Sequence, residues 1–355
     1  MAEFFDETPD HALPPRRAEQ RALEVAAEVA ADRVLCTTLG RAQAATALAR
    51  DRPHASVCCW FLDQYLEQLA AASSAGELPN LTLSCQADPP DETVDLVVAP
   101  LTSHGEAELA RDILQSACRR LRIDGTLVAA VDNPNDRWLR QQLGAWFAKI
   151  TTKVHDDAVV YLARKTAEPR KWKEFRCEFA FRDRGRLLRA ASRPGVFSHR
   201  RIDPGARQLL AAAEVRDGER VLDLGCGAGV VGLALAARET TARVHAVDSN
   251  ARAVECTLTG AALNGLGNVH TELNGDGVIG AGGTFDAVVA NPPYYADFRI
   301  AGAFLATAHR ALRVGGRVTF VTKDPHWYLE TMAEVWNDVA SAPSKRYHIV
   351  TAIRR

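Results

Sequence analysis

The feature that most constrains this chain is that it writes one pattern twice. "TVDLVVAPLTS" at 93–103 returns as "TFDAVVANPPYY" at 284–295. The segment "LQSACRRLRIDGTLVAAVDNP" (114–134) lies ungapped under "LATAHRALRVGGRVTFVTKDP" (305–325), and Asp95 lies under Asp286 at the same offset of 191. Further upstream, 33–50 mirrors 220–237 and 55–61 mirrors 242–248. Self-similarity at this scale implies two tandem copies of one fold. The length of 355 residues is also what two domains require.

The second copy alternates short apolar strands with helical patterns. Strands are expected at 220–225, 243–248, near 268–274 and at 285–291. Helices are expected over "VVGLALAARE", over "ARAVECTLTGAALN" with Gly265 as its stop, and over "AGAFLATAHRAL" ending at Gly315-Gly316. That alternation implies an α/β fold with a parallel, doubly wound sheet.

Hydrophobic residues make up 47% of the chain, enough for two cores, and the formal net charge is −1. The molecule is therefore no polyelectrolyte, and any nucleic-acid surface has to be local. One stretch qualifies: 164–207 carries fourteen Lys/Arg against five Asp/Glu. Arg182, Arg184, Arg186, Arg189, Arg200 and Arg201 lie there among Trp172, Phe175, Phe179, Phe181 and Phe197, which makes them candidate RNA contacts. The first residues are acidic and proline-broken, without signal-peptide features, and no 18-residue apolar run occurs. The eight cysteines are scattered with no CxxC pair and read as small buried hydrophobes. These features predict a cytoplasmic protein without membrane contact, and no metal.

"VLDLGCGAG" (221–229) ends a strand in Asp223 and then places Gly225, Gly227 and Gly229 before a helix. The glycines let the backbone turn tightly with no side chain blocking a ligand. A dinucleotide fingerprint would have glycine where Val230 stands, and the acid upstream suits a ligand with a cationic amino group rather than a phosphate. Asp248 ends the next strand, where a carboxylate accepts ribose hydroxyls, and Asp276 ends the third. This arrangement resembles motif I and its neighbours in the class I S-adenosylmethionine-dependent methyltransferases. The resemblance implies two Rossmann-like domains in which Asp223, Gly225, Cys226, Gly227, Gly229, Asp248, Ser249, Asp276, Gly277 and Asn291 bind S-adenosylmethionine. Asp276 and the Gly277 N–H would face the adenine.

"NPPYY" (291–295) resembles the motif of methyltransferases whose target is an amino group conjugated to a planar system. By that resemblance the Asn291 side-chain oxygen and the Pro292 carbonyl accept the two amine hydrogens. Pro293 stiffens the turn, and Tyr294 offers a stacking ring. In the first copy Cys36 replaces Asp223, Thr38 replaces Gly225, Ala42 replaces Gly229, Phe61 stands for Asp248, and "PLTS" stands for "NPPY". That copy is expected to fold and to bind no cofactor.

A degenerate domain ahead of an active one resembles the bacterial ribosomal RNA guanine-N2 methyltransferases of the small and large subunits. The resemblance covers nearly the whole chain and includes "RPGVFSHRRIDPGARQLL" (193–210), expected to cover the cofactor crevice. It implies a flexible start (1–16), a degenerate domain (17–165), a basic connector (166–205) and a catalytic domain (206–355). The partner would be ribosomal RNA or a ribosomal subunit, with no obligate protein partner, and the cofactor product S-adenosylhomocysteine. That family usually has Phe where this chain has Tyr294. Methylation of a protein glutamine N5 or a transfer-RNA adenine N6 therefore stays open, as does a non-catalytic RNA-binding assembly factor.

Overall fold

The computed structural model describes residues 16–73, 77–280, 282–293 and 298–355, and the chain divides into two compact units, Met1–Phe175 and Arg176–Arg355. The first begins with helix α1 (Arg17–Ala26), β1 (Arg33–Thr37), α2 (Gln43–Asp51), β2 (Ser56–Phe61) and α3 (Gln64–Ala72). It continues with β3 (Leu81–Cys85), β4 (Val94–Leu101), α4 (Ala107–Arg120) and β5 (Leu121–Val131). It ends with α5 (Trp138–Leu143), β6 (Ile150–Val154) and β7 (Val159–Arg164). The second opens with a hairpin, β8 (Cys177–Asp183) and β9 (Arg186–Ser192), then α6 (Pro204–Ala212) and β10 (Arg220–Leu224). Next come α7 (Val230–Arg238), β11 (Arg243–Asp248), α8 (Ala251–Leu263), β12 (Val269–Leu273) and β13 (Phe285–Ala290). It closes with α9 (Arg299–Ala311), β14 (Leu312–Thr322), α10 (Pro325–Met332), β15 (Trp336–Ser344) and β16 (Tyr347–Arg354).

Each unit builds a seven-stranded sheet, in the orders β3-β2-β1-β4-β5-β7-β6 and β12-β11-β10-β13-β14-β16-β15. The strand order is the same in both copies, which establishes two tandem Rossmann-like domains. The sheets are mixed rather than wholly parallel: β16 runs antiparallel to both β14 and β15, and β7 to both β5 and β6. A short connection such as 345–346 between β15 and β16 can only return the chain antiparallel, since a parallel return needs a long crossover.

The glycine pair also differs from expectation. Helix α9 ends at Ala311, and Gly315-Gly316 lies inside β14. Gly315 has φ +75, and a Cβ on Gly316 would sit 2.9 Å from the Arg313 oxygen and 3.1 Å from that of Phe285. The pair thus forms a bulge, visible as a register shift between Phe285 and Ala287, and re-enters the ladder beyond it. In the first copy Asp124 (φ +66) and Gly125 do the same.

Two side-chain clamps secure the lower ends of both sheets. Asp286 accepts the Arg220 N–H at 2.8 Å and the Arg313 Nε at 2.6 Å; Asp95 accepts the Arg33 N–H at 2.8 Å and the Arg122 Nε at 2.6 Å. Partial burial would raise both carboxyls, but these bonds outweigh it and hold them below the ordinary range. Asn268 Nδ2 donates to the oxygens of Ala236, Glu239 and Ala242, while its own carbonyl accepts from Val244. Asn80 repeats this with Ala49, Arg52, Ala55 and Val57.

The expected connector is divided between the units. Its second part, β8–β9, is bolted onto the C-terminal end of α7 by a fork in which Arg238 grips Asp183 through Nε and Nη2 at 2.7 Å each. The same guanidinium donates to the Ala213 and Leu210 carbonyls. Trp172 instead packs on Trp146 and under Arg119 in the first unit.

The repeated asparagine clamp makes a testable statement. Asn268→Ala leaves three carbonyls without their donor and is expected to lower stability by about 1–3 kcal/mol. Asn80→Ala is expected to cost the first unit a similar amount, read by denaturant titration. A change near zero at either position would show that water replaces the amide.

Candidate active site

The strand order reverses beside β10: β11 and β12 lie on one side of it and β13 and β14 on the other. At such a switch point the crevice outside the carboxyl ends is left uncovered. Leu224 pairs with Ala290, so Gly225 and Asn291 leave the sheet side by side. The loop from Gly225 is pinned from beneath, because Gly225 and Cys226 both donate to the Val247 oxygen, at 2.8 and 2.9 Å. Gly229, at φ +74, starts α7, and a Cβ there would meet Thr257 Oγ1 at 2.7 Å. That position admits glycine only.

The expected cofactor residues divide by environment. Asp223 is 3% exposed, lines the cleft, and accepts the Gly232 N–H at 2.8 Å, so its carboxylate also braces the first turn of α7. Burial pushes its carboxyl up to about 7; the Gly232 bond opposes this, and the Asp248 charge adds to it. Gly225, Cys226 and Gly227 line the same cleft, and burial raises the Cys226 thiol. Asp248 spans the loop, with Oδ2 accepting from Gly227 N and Oδ1 from Asn250 N, both at 2.9 Å. Ser249 follows it, ahead of α8, whose N-cap Asn250 accepts from Arg252 and Ala253. Asp276 is exposed and accepts from Val278 N. The Gly277 N–H, expected to meet an adenine, donates to Asn274 Oδ1 at 2.8 Å.

Beyond β13, Asn291 lines the cleft, Pro292 is buried and Pro293 half-buried; Tyr294 lies outside the described residues. Asn291 Nδ2 donates to Asp203 Oδ2 at 3.0 Å, and that oxygen also accepts the Ala206 N–H as the N-cap of α6. The segment 197–203 forms the facing wall: Phe197, Ser198, Arg201 and Asp203 border the glycine loop and Asn291. Two of its non-glycine residues, Ser198 and Arg200, hold left-handed φ of +58 and +70. Strain of that kind collects where surrounding structure fixes a loop for function. Asp203 was not singled out from sequence as a site residue; its Asp-Pro pair announces a helix start, and only the fold brings it to Asn291.

The arginines fare unevenly. Arg182, Arg184, Arg186, Arg189, Arg200 and Arg201 are all exposed. Arg186 also donates to the Ala237 oxygen at 2.7 Å, Arg189 pairs with Glu178 at 2.6 Å, and Arg201 borders the cleft. Of the nearby aromatics, Phe175 and Phe181 are core residues, whereas Phe197 is 62% exposed. Among the described residues no three His, Cys, Asp or Glu side chains gather as a metal site requires, and no helix is long and apolar enough to cross a membrane.

Asp223 gives this site a pH signature. Its folded-state proton affinity exceeds that of the unfolded chain, so its stabilising contribution is full below about pH 4 and is lost as pH rises through about 7. Asp223→Asn keeps an acceptor for the Gly232 N–H. It is expected to flatten the apo-protein's loss of stability between about pH 4 and pH 8, by about 1.4 kcal/mol per tenfold difference in proton affinity. Denaturant titrations across that window measure it, and parallel wild-type and variant curves would contradict the assignment.

The chain is similar to known proteins in sequence and in fold. Residues 188–351 match the family model "Methyltransferase small domain". Ribosomal RNA small subunit methyltransferase C of Shewanella amazonensis is 30% identical over 281 residues, covering 75% of this chain and 79% of that protein. The protein of the same name from Pseudomonas aeruginosa is 39% identical over 139 residues, 38% of this chain; there the chain spans about two fifths (41%) of the relative's length. A solved structure, the Thermus thermophilus 16S rRNA N2 G1207 methyltransferase in complex with AdoMet and guanosine, superposes with a TM-score of 0.77 at 24% identity. That match covers 96% of this chain and 92% of the other, and shows the two-domain fold. The chain belongs to the ribosomal RNA small subunit methyltransferase C family.

Proposed function

We propose that the second unit transfers a methyl group from S-adenosylmethionine to the exocyclic N2 of a guanine in small-subunit ribosomal RNA. The observation that carries this reading is Asn291 leaving β13 beside the glycine loop, with both bordering one cleft. Family membership supports the acceptor: the relatives are named for small-subunit ribosomal RNA, and the structural neighbour for a guanine N2. That favours guanine over the glutamine and adenine readings that Tyr294 leaves open by sequence.

The donor set fits the cofactor. A glycine loop without side chains and a buried carboxylate, Asp223, border a cleft suited to a molecule with a cationic amino group. Gly225, Cys226 and Gly227 would lie along it, with Asp248, Ser249, Asp276 and Gly277 further round the strand ends. Asp248 and the Gly277 N–H would then exchange an internal partner for the ligand. Bound there, the cofactor supplies an electrophilic sulfonium methyl and leaves as S-adenosylhomocysteine. The chain's own part is positional. Asn291 Oδ1 and the Pro292 carbonyl accept the two amine hydrogens, turning the delocalised lone pair out of the ring plane, and water takes the surplus proton afterwards. Pro293 holds the turn and Tyr294 stacks on the base. Arg182, Arg184, Arg186, Arg189, Arg200 and Arg201 meet RNA phosphates.

Tritiated methyl transfer to naked 16S RNA, small subunits, transfer RNA and a release factor, followed by nucleoside analysis, tests the acceptor. N2-methylguanosine from the ribosomal substrate alone is expected, and label in glutamine or N6-methyladenine would replace this reading. Asn291→Ala is expected to lose on the order of 100-fold or more in rate with cofactor affinity kept. Arg182→Glu with Arg184→Glu is expected to weaken RNA binding and flatten its salt dependence. An unchanged salt slope would remove the hairpin from the RNA surface.

A further inference from the structure

We infer that Asp203 is a positioning residue for methyl transfer: it sets which end of the Asn291 carboxamide faces the amine. The inference deepens the reading of Asn291 just given and rests on it. A carboxamide has a donor end and an acceptor end of nearly the same shape, and only the acceptor end helps a substrate N–H. Turned the other way, the Asn291 NH₂ would confront the amine donor to donor, and the interaction would become repulsive. Asn291 stands just past β13, which ends at Ala290, so the choice between the two falls to what its carboxamide meets in space.

Asp203 decides it. An ionised carboxylate accepts only, and its Oδ2 lies 3.0 Å from Asn291 Nδ2. Flipping the amide would set an oxygen against that oxygen. The carboxylate is itself held in place, because the same Oδ2 caps α6 through the Ala206 N–H at 2.9 Å and Pro204 begins the helix. Asp203 therefore has a structural duty and an orienting one, and the two are separable. A serine or asparagine at this position caps a helix nearly as well as aspartate. Serine is too short to reach Asn291, whereas asparagine, capping α6 with its one oxygen, sets that oxygen where Oδ2 stood and still accepts from Asn291.

The test measures kcat, cofactor Kd and Tm for Asp203→Ser, Asp203→Asn, Asp203→Ala and Asn291→Ala in the full chain. The serine variant is expected to keep Tm and cofactor Kd near wild type while kcat falls about 10- to 100-fold, and the asparagine variant to keep all three near wild type. The alanine variant is expected to lose Tm as well. Wild-type kcat in the serine variant, or a kcat in the asparagine variant as low as in the serine one, with Asn291→Ala inactive, would overturn the inference and leave Asp203 as a helix cap alone. An active Asn291→Ala would overturn the reading of Asn291, and this inference with it.

Discussion

The second unit depends on a carboxylate at the foot of β13. Asp286 joins the first residue of β10 to the start of β14, so it fixes the register of three adjacent parallel strands from one side chain. Register in a buried parallel sheet cannot slip without carrying every core side chain with it. Once β10 and β13 are locked at their lower ends, their upper ends must emerge at the same height. That is why the glycine loop and Asn291 share a cleft. Asn268 adds the neighbouring strand by gathering the turn between α7 and β11 onto β12.

The first unit shows how far that scaffold is independent of the chemistry above it. It keeps the carboxylate–arginine clamp, the asparagine clamp, the bulge and the strand order. It even keeps the loop shape: Ala42 caps α2 at φ +54, where Gly229 caps α7 at +74. What changed is what the loop's polar groups face. Thr38 Oγ1 accepts the Gly40 and Ala42 N–H groups at 3.0 Å each, and Glu19 accepts the Ala44 N–H at 3.2 Å. With Arg33 aligned on Arg220, Glu19 falls on Ala206, which lines the cleft in the second unit. In the first copy the corresponding loop spends its N–H groups on side chains of its own unit, and burial raises the Glu19 carboxyl.

Periodicity located β10 and β13 because their apolar runs are buried on both faces and end at the glycine loop and Asn291. The glycine pair 315–316 misled, because a helix stop and a β-bulge ask for the same left-handed residue. Composition also merged two populations of basic residues in 164–207. Arg193 is buried on Glu255 at 2.7 Å, whereas Arg182 and Arg184 point outward from the hairpin. A charge count cannot separate a buried fork from a solvated one.

The sequence by itself determined the duplication, the two α/β domains, the glycine loop and the amide after β13. Each is carried by residue type at fixed spacing along one chain segment. Tertiary structure alone decided the partners. Asp203 meets Asn291 across 88 positions, Asp183 meets Arg238 across 55, and the Asp223 carboxyl is raised because the core closes over it. Hydrogen-bond direction and desolvation depend on what lies opposite in space, and no local pattern encodes that.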